Sequence, residues 1–200
     1  MNSAPIHVIK LGGSLLELPQ LLDRFSAICA ADASVRRLVV VGGGRAADAV
    51  RLFDRRFGLD PQQGHWLAIR AMSFNAHLFA AVMDHVEPAC TIKTCERIWS
   101  SDKTAVMEPL SWLEDEHRRG IVVPHVWEFT SDSIAAHVAT RLGAGRLTLL
   151  KSALPKGECA IADVARRGLV DREFPTAAKG IEHVEIINLR NDPPVRRRLR

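Results

Sequence analysis

Two short apolar runs near the start of the chain each end in a cluster of glycines. Ile6 to Leu11 is followed by Gly12-Gly13, and Arg37 to Val41 is followed by Gly42-Gly43-Gly44. Continuous apolar runs of this length are typical of strands buried on both faces of a parallel sheet. After each glycine cluster, apolar residues recur three and four positions apart, which predicts two helices: Leu15 to Ala30 and Ala46 to Phe57.

The rest of the chain continues the alternation of helices and strands. Helices are predicted from Gln63 to Val86, ended by Pro88, from Pro109 to Arg119, and from Thr130 to Leu142. Strands are predicted at Ile121 to Val123, Leu147 to Leu150 and Val184 to Leu189. This order predicts an α/β fold in which helices cover both faces of a parallel sheet.

The composition is that of an ordinary globular protein. The 200 residues are 47% hydrophobic and 25% charged, so we expect one domain over residues 1–200. Part of the net charge of +4 comes from the arginines at positions 196, 197, 198 and 200. We interpret residues 191–200 as a short, solvated basic C-terminal tail and infer no nucleic-acid function.

The four cysteines form no CxxC pair and lack the histidines of a zinc site. We therefore expect free and mostly buried thiols. No basic segment followed by a long apolar run opens the chain, and no apolar stretch approaches the length of a membrane span. The expected location is cytoplasmic, with no membrane partner.

The two glycine clusters are candidate phosphate loops. In Lys10-Leu11-Gly12-Gly13-Ser14, residues without a Cβ atom let backbone N–H groups approach a phosphate, next to a cation expected at a solvent-accessible strand end. Gly42 to Gly44 takes the same position after the next strand, and ligands of open α/β sheets bind at this edge. The alternative is that each cluster is only a tight turn and Lys10 only a strand-end charge.

Asp132 is the third candidate, because it lies at the start of a predicted helix in Thr130-Ser131-Asp132, where these side chains are expected to cap the helix. A carboxylate here could simply favour the helix N-terminus. It could also hold the ammonium group of Lys10 in place and keep it protonated. The pattern alone leaves both interpretations open.

These segments, in this order, resemble the amino-acid kinase family, which includes acetylglutamate, aspartate, uridylate and isopentenyl phosphate kinases. The matching segments are Val8 to Ser14, Val39 to Gly44, Thr130 to Ala136, Leu142 to Ala144 and Leu149 to Ser152. The resemblance covers about residues 6 to 155 and implies a three-layer α/β/α sandwich with a mainly parallel central sheet. It also implies an acceptor half at about 1–125 and a nucleotide half at about 126–190.

The resemblance implies a role for each matching position. Lys10 is the charge-stabilising catalytic lysine and Asp132 the catalytic residue that orients the lysines. Phosphates are bound by Gly12, Gly13, Ser14, Gly42, Gly43 and Gly44, and the nucleotide by Lys151 and Ser152. The expected cofactors are ATP and Mg²⁺, with the metal held mainly by phosphates and by no direct protein ligand.

The similarity is closer to a short archaeal-type subgroup that contains the aminomethyl-furanmethyl phosphate kinase of methanofuran biosynthesis. This implies a small-molecule phosphate monoester as acceptor, converted to a diphosphate in one-carbon cofactor (methanofuran or methanopterin type) synthesis. We also expect a homo-oligomer, a dimer or higher. The candidate acceptor residues are Asp48, Arg51, Asp54, His65 and Trp66. Arginine suits a phosphate and a carboxylate suits an ammonium group.

The chain also departs from the family pattern. Ala153 to Gly157 replaces the usual acidic residue and Val-Asp-Gly, and Arg45 stands where isopentenyl phosphate kinases carry a histidine. Lys151, Lys156 and Lys179 are all candidates for the second phosphate-contacting lysine, with Lys151 favoured. The alternatives are a kinase of UMP, isopentenyl phosphate or an amino-acid carboxylate, or a nucleotide or metabolite sensor without catalysis. A third class is a nucleic-acid-binding or assembly module that uses the basic tail.

Overall fold

The structure is a computed structural model that describes residues 4–32, 34–121, 129–157 and 159–200. Within these residues, seven strands form one sheet: β1 Ile6–Leu11, β2 Arg36–Val41, β3 Val86–Ala89, β4 Thr104–Met107, β5 Arg146–Lys151, β6 His183–Asn188 and β7 Val195–Leu199. The strand order is β3-β4-β2-β1-β5-β6-β7. The pairs from β3 to β6 are parallel and the β6–β7 pair is antiparallel. The expected mainly parallel sheet is confirmed.

Helices cover both faces of this sheet. A 3-10 helix spans Gly13–Glu17, and the α-helices of the described residues are α1 Leu21–Ala30, α2 Gly44–Phe57, α3 Pro61–Val82, α4 Ile92–Trp99, α5 Pro109–Arg118, α6 Ser131–Arg141, α7 Ile161–Arg166 and α8 Phe174–Ala177. Val8 and Val40 face a core cluster with Ile134 of α6, whereas Ile9 and Val39 face one with Phe25 of α1. The fold is therefore a three-layer α/β/α sandwich.

Near two prolines, the observed ends of helices and strands differ from the predicted ones. Pro19 lies between the 3-10 helix and α1, so the predicted helix from Leu15 to Ala30 is two elements. Pro88 does not simply follow a helix, because it lies inside β3, and α3 already ends at Val82. β3 is an edge strand, where a residue without an N–H group is tolerated.

Several elements were not predicted. β3, α4 and β4 lie between residues 86 and 107, and α7 and α8 lie between 161 and 177. These elements are short, so each has too few residues for the periodic spacing of apolar positions to be recognised. The predicted strand from Ile121 to Val123 lies outside the described residues, except for Ile121.

The C-terminal arginines do not form a simple solvated tail. Val195 to Leu199 form β7, which pairs with β6 so that Leu199 lies opposite Val184. The arginines of β7 are exposed, as expected, but Leu199 is buried in the core. A strand with one buried side chain carries too little apolar signal to be recognised from sequence.

The four cysteines are free, as predicted, but only Cys95 is fully buried. No helix in the described part of the chain is long and apolar enough to cross a membrane. The predicted homo-oligomer stays a prediction.

We expect Leu199→Ala to lower the free energy of unfolding by about 2–5 kcal/mol, because it leaves a cavity under β7. Val195 lies on the same strand and is 39% exposed, so Val195→Ala is the matched control and should change stability by less than about 0.5 kcal/mol. Urea unfolding measures both. Equal, small effects in the two variants would mean that β7 is not packed on the sheet.

Candidate active site

The carboxyl ends of β1, β2 and β5 meet at one edge of the sheet. In the register of these strands, Lys10 lies between Val40 and Leu149. The backbone N–H of Gly12 donates to the carbonyl of Leu150 at 2.9 Å, and that of Gly42 donates to Leu11 at 2.8 Å. The two predicted loops therefore leave the sheet side by side.

The two glycine loops are in direct backbone contact. A Cβ atom on Gly13 would lie 2.1 Å from the backbone nitrogen of Gly44, and one on Gly44 would lie 2.6 Å from the carbonyl oxygen of Gly13. Gly44 also has a φ of +47°, which favours glycine. Glycine is thus required at both positions by the packing of one loop on the other, whatever these loops bind.

A buried amide from α3 fixes the second loop. Asn75 is 3% exposed, and its Nδ2 atom donates to the carbonyl oxygens of Gly42 and Gly43, both at 2.8 Å. Asn75 was not among the residues predicted for the site. Its only signal was a polar residue in the apolar stretch of a helix, which does not reveal a partner 33 residues away in the chain.

Asp132 bridges two lysines. Its Oδ1 atom lies 2.8 Å from Nζ of Lys10, and its Oδ2 atom lies 2.5 Å from Nζ of Lys151, which also donates to the carbonyl of Leu169 at 2.6 Å. Lys10 and Asp132 are 5% and 4% exposed. The expectation of a solvent-accessible Lys10 is wrong, because α6 packs across the end of β1 and covers this side chain.

The electrostatics of this cluster follow from burial and the three charges. Burial opposes ionisation of Asp132, but Lys10 and then Lys151 outweigh it and hold the pKa of this carboxyl below its usual range. The pKa of Lys151 is lowered to about 8, first by burial and then by the charge of Lys10, against the opposing effect of Asp132. Lys151 can therefore lose its proton near neutral pH.

The structure brings the predicted nucleotide residues to this cluster. Ser152 follows Lys151, and its Oγ atom lies 3.4 Å from that of Ser14 in the first loop. Lys156 and Lys179 are exposed. Of the three candidate lysines, Lys151 is the one that contacts Asp132.

The start of α6 is capped differently from the expectation. Thr130 is the N-cap residue, but its side chain makes no capping hydrogen bond to the helix. Instead it donates to Asp171, which also accepts from the backbone N–H of Ser133 at 3.1 Å. Asp171 was not predicted as a site residue. It lies 38 residues from Ser133 in the chain, so no local sequence pattern connects the two.

A pocket of about 170 Å³ lies beside the glycine loops. Arg51 and His65, two of the predicted acceptor residues, line it. Its other polar boundary is made by Thr130 and Ser131 at the start of α6. The remaining lining is glycine or apolar: Gly13, Gly43, Gly44, Ala47, Ala68, Ile69, Met72, Phe129 and Ile134.

Three predicted acceptor residues are not brought into this pocket. Asp48 is exposed and pairs with Arg51 at 2.7 Å. Asp54 does not line the pocket, because a spacing of three residues rotates each position by about 60° around the helix. Trp66 contacts His65 edge to face, with ring centroids 5.7 Å apart, but lines a separate open groove with Arg70. Their predicted acceptor roles have no support from the pocket.

The sequence pattern of the Amino acid kinase family matches residues 5–153. The chain belongs to the amino acid kinase family. It is also 25% identical over 137 residues to the [5-(aminomethyl)furan-3-yl]methyl phosphate kinase of Methanocaldococcus jannaschii. This match covers 68% of the chain and 61% of that relative, so the chain spans about three fifths of the relative's length.

Solved structures of several small-molecule kinases share the fold. UMP kinase from Ureaplasma parvum superposes with a TM-score of 0.69 at 12% identity, over 97% of this chain and 93% of that one. Uridylate kinase from Archaeoglobus fulgidus gives 0.64 at 19% identity, over 90% and 88%. Carbamate kinase from Giardia lamblia bound to AMP-PNP gives 0.58 at 12% identity, over 94% of each chain. The predicted fold class is confirmed.

The arrangement is suited to a polyanion. Two ammonium groups share one carboxylate beside the two glycine loops at the strand ends, and positive charge placed in this way stabilises phosphate charge. Among the described residues, no group of three or more His, Cys, Asp or Glu side chains is placed to hold a metal ion.

We expect Gly13→Ala to destabilise the protein by about 1–3 kcal/mol, since the new methyl group overlaps backbone atoms of the second loop. Gly145→Ala is the control, because a Cβ atom there would meet only a side-chain oxygen of Glu182 at 3.9 Å. Thermal or urea unfolding measures both. Wild-type stability in Gly13→Ala would contradict the close contact between the loops.

The titration of Lys151 predicts a pH dependence. Because its ammonium is lost above a pKa of about 8, kcat/KM for ATP should fall above that pH, as this parameter reports groups of the free enzyme. Bound phosphate favours the charged lysine, so the decline in kcat should come at higher pH.

Two substitutions test whether Lys151 causes this decline in kcat/KM at alkaline pH. Lys151→Arg should shift the alkaline decline beyond the measured range even if the rate is reduced, since guanidinium stays charged. Lys156→Arg, at an exposed lysine, should leave the profile unchanged. An alkaline decline that persists in Lys151→Arg would assign it to another group.

Proposed function

We propose that this chain is an ATP-dependent kinase that transfers a phosphoryl group to a small phosphate monoester and so forms a diphosphate. The observation that carries the proposal is the Lys10–Asp132–Lys151 cluster at the carboxyl ends of β1 and β5. Membership of the amino acid kinase family supports the class of reaction.

The residues at this edge fit the polyphosphate of a nucleotide. Lys10 and Lys151 supply positive charge, and we propose that the phosphates lie against the loop of Gly12, Gly13 and Ser14 at the strand end. When bound, ATP with Mg²⁺ supplies the phosphoryl group, and we propose that the metal is held mainly by phosphate oxygens. The task of the chain is then positioning and charge stabilisation, which dominate phosphoryl transfer.

Asp132 has a distinct task in this proposal. By pairing with both lysines it fixes the positions of their ammonium groups, and it favours the charged form of Lys151. Its own lowered pKa keeps it ionised throughout the neutral range. It does not need to act as a general base, because a phosphate acceptor is already ionised at neutral pH.

The pocket beside the loops is our proposed acceptor site. Arg51 offers a cation for the acceptor's phosphate, and the apolar lining suits a compact, flat body. The similarity to a furan-phosphate kinase supports an acceptor of one-carbon cofactor (methanofuran or methanopterin type) synthesis. UMP, isopentenyl phosphate and amino-acid carboxylates are the alternative acceptors.

An acceptor screen tests the proposal. The protein is incubated with ATP, Mg²⁺ and one of four acceptors: [5-(aminomethyl)furan-3-yl]methyl phosphate, UMP, isopentenyl phosphate or aspartate. ADP release gives the rate, and ³¹P NMR distinguishes a new diphosphate from an acyl phosphate. We expect the furan monophosphate to give the highest kcat/KM, with a diphosphate product.

Two variants accompany the screen. Asp132→Asn should reduce kcat by at least about 10²-fold, in line with the loss of a charge-stabilising group. Arg51→Ala should raise the acceptor's KM while calorimetric ATP binding without acceptor stays unchanged. ATP binding without transfer to any acceptor would favour the sensor, and a clear preference for UMP would replace the proposed acceptor class.

A further inference from the structure

Asp171 joins two parts of the candidate site that are distant in sequence. It follows α7 and lies in the loop that leads into α8. Its Oδ2 atom accepts from the hydroxyl of Thr130 at 2.7 Å, from the N–H of Thr130 at 3.2 Å and from the N–H of Ser133 at 3.1 Å. Its Oδ1 atom accepts from the Ser133 hydroxyl and from the N–H groups of Glu173 and Phe174.

These bonds replace the ordinary cap of α6. The first N–H groups of a helix have no partner within it, and an N-cap side chain usually accepts from the third of them. Here Thr130 forms no such bond, and the N–H of Ser133 donates to Asp171 instead. The carboxylate also lies where a negative charge is favoured by the helix dipole.

The residue held by this cap is Asp132. Thr130 and Ser133 flank it on the first turn of α6, so their bonds to Asp171 set the position of the turn from which the Asp132 carboxylate extends. Lys151 is tied to the same loop, because its Nζ atom donates to the carbonyl of Leu169, two residues before Asp171. One loop therefore contacts both the helix of Asp132 and one of its lysines.

We infer that Asp171 is a positioning residue of the phosphoryl-transfer site, which holds the start of α6 so that Asp132 stands between Lys10 and Lys151. The inference rests on the proposed function. It assigns Asp171 no contact with the substrates. Its effect acts through Asp132 and Lys151.

The electrostatics of Lys151 supply a second readout besides kcat. Lys151 is faced by Lys10, which lowers its pKa, and by Asp132 and Asp171, which raise it. Removing the charge of Asp171 should therefore lower the pKa of Lys151 further. An aspartate that serves only as a helix cap would affect stability and leave kcat of the folded variant unchanged, whereas the Lys151 midpoint reports how close the charge of Asp171 lies to Lys151.

The test compares three full-length variants with the wild type. Asp171→Asn removes the charge, and Ser133→Ala removes one donor at a fully buried position. Asp163→Asn is the control, since Asp163 also lies in the first turn of a helix but pairs with Arg166 on the surface. Thermal unfolding is measured first, followed by kcat and KM with the acceptor from the screen.

The titration of Lys151 is measured separately from turnover. Protein with ¹³C-labelled lysine side chains is titrated by NMR, and the Lys151 signal is assigned with Lys151→Arg. We expect Asp171→Asn to lower kcat by about 10- to 100-fold, by analogy with groups that orient metal ligands from outside, and to shift the Lys151 midpoint to lower pH. Ser133→Ala should lower kcat by a smaller factor, and Asp163→Asn should change neither quantity.

A folded Asp171→Asn protein with wild-type kcat and Lys151 midpoint would overturn the inference, whatever its thermal stability. If Asp171→Asn does not fold, Ser133→Ala decides, and unchanged kcat in that variant would count against it. If the wild type transfers phosphate to no acceptor, the proposed function fails, but the Lys151 midpoint in folded Asp171→Asn still tests the position of Asp171 independently.

Discussion

The candidate site depends on one buried carboxylate shared by two lysines. Burying an isolated charge is costly, and leaving one partner of a buried pair alone typically costs about 3–5 kcal/mol. Asp132, Lys10 and Lys151 avoid this by pairing across β1, α6 and β5. Because each charge stabilises the others, a substitution at one of these positions changes the electrostatics of all three. The layered fold supplies what this arrangement needs: adjacent parallel strand ends and a helix that starts above them.

The parts of the fold that could be predicted have strong local signals. β1, β2, β5 and β6 are nearly continuous apolar runs, and the helices with periodic faces were placed to within a few residues. β7 and the short elements between residues 86 and 107 could not be, because a few residues carry too little periodicity. The start of α3 also has a signal in the sequence, although the helix was predicted to begin at Gln63. Asp60 and Gln63 form a capping box, and Pro61 lies between them.

In the site, too, the residues that could be predicted are those with a local signal in the sequence. Lys10 and the glycines were identifiable because charge and conformational freedom stand next to each other in the chain. The hydrogen bonds of Asp171 and Asn75 join residues that are 38 and 33 positions apart in the chain. The presence of a polar residue in the sequence does not indicate which distant residue it will contact. Asp48 and Asp54 do not line the pocket although Arg51 between them does, because a spacing of three residues rotates each position by about 60° around the helix. The sequence thus predicted Lys10, Asp132 and the glycine loops. The structure added Asn75, which bonds to the second loop, and Asp171, which bonds to the start of α6.

The exposed arginines of β7 have a consequence for the sheet as a whole. An edge strand presents unpaired N–H and C=O groups to which a strand of another molecule can add, and proteins counter this with charged side chains. β7 is the edge next to β6, and Arg196, Arg197 and Arg198 are exposed along it. A second copy that approached with its own β7 would bring like charges together, so growth of the sheet from molecule to molecule is disfavoured at this edge.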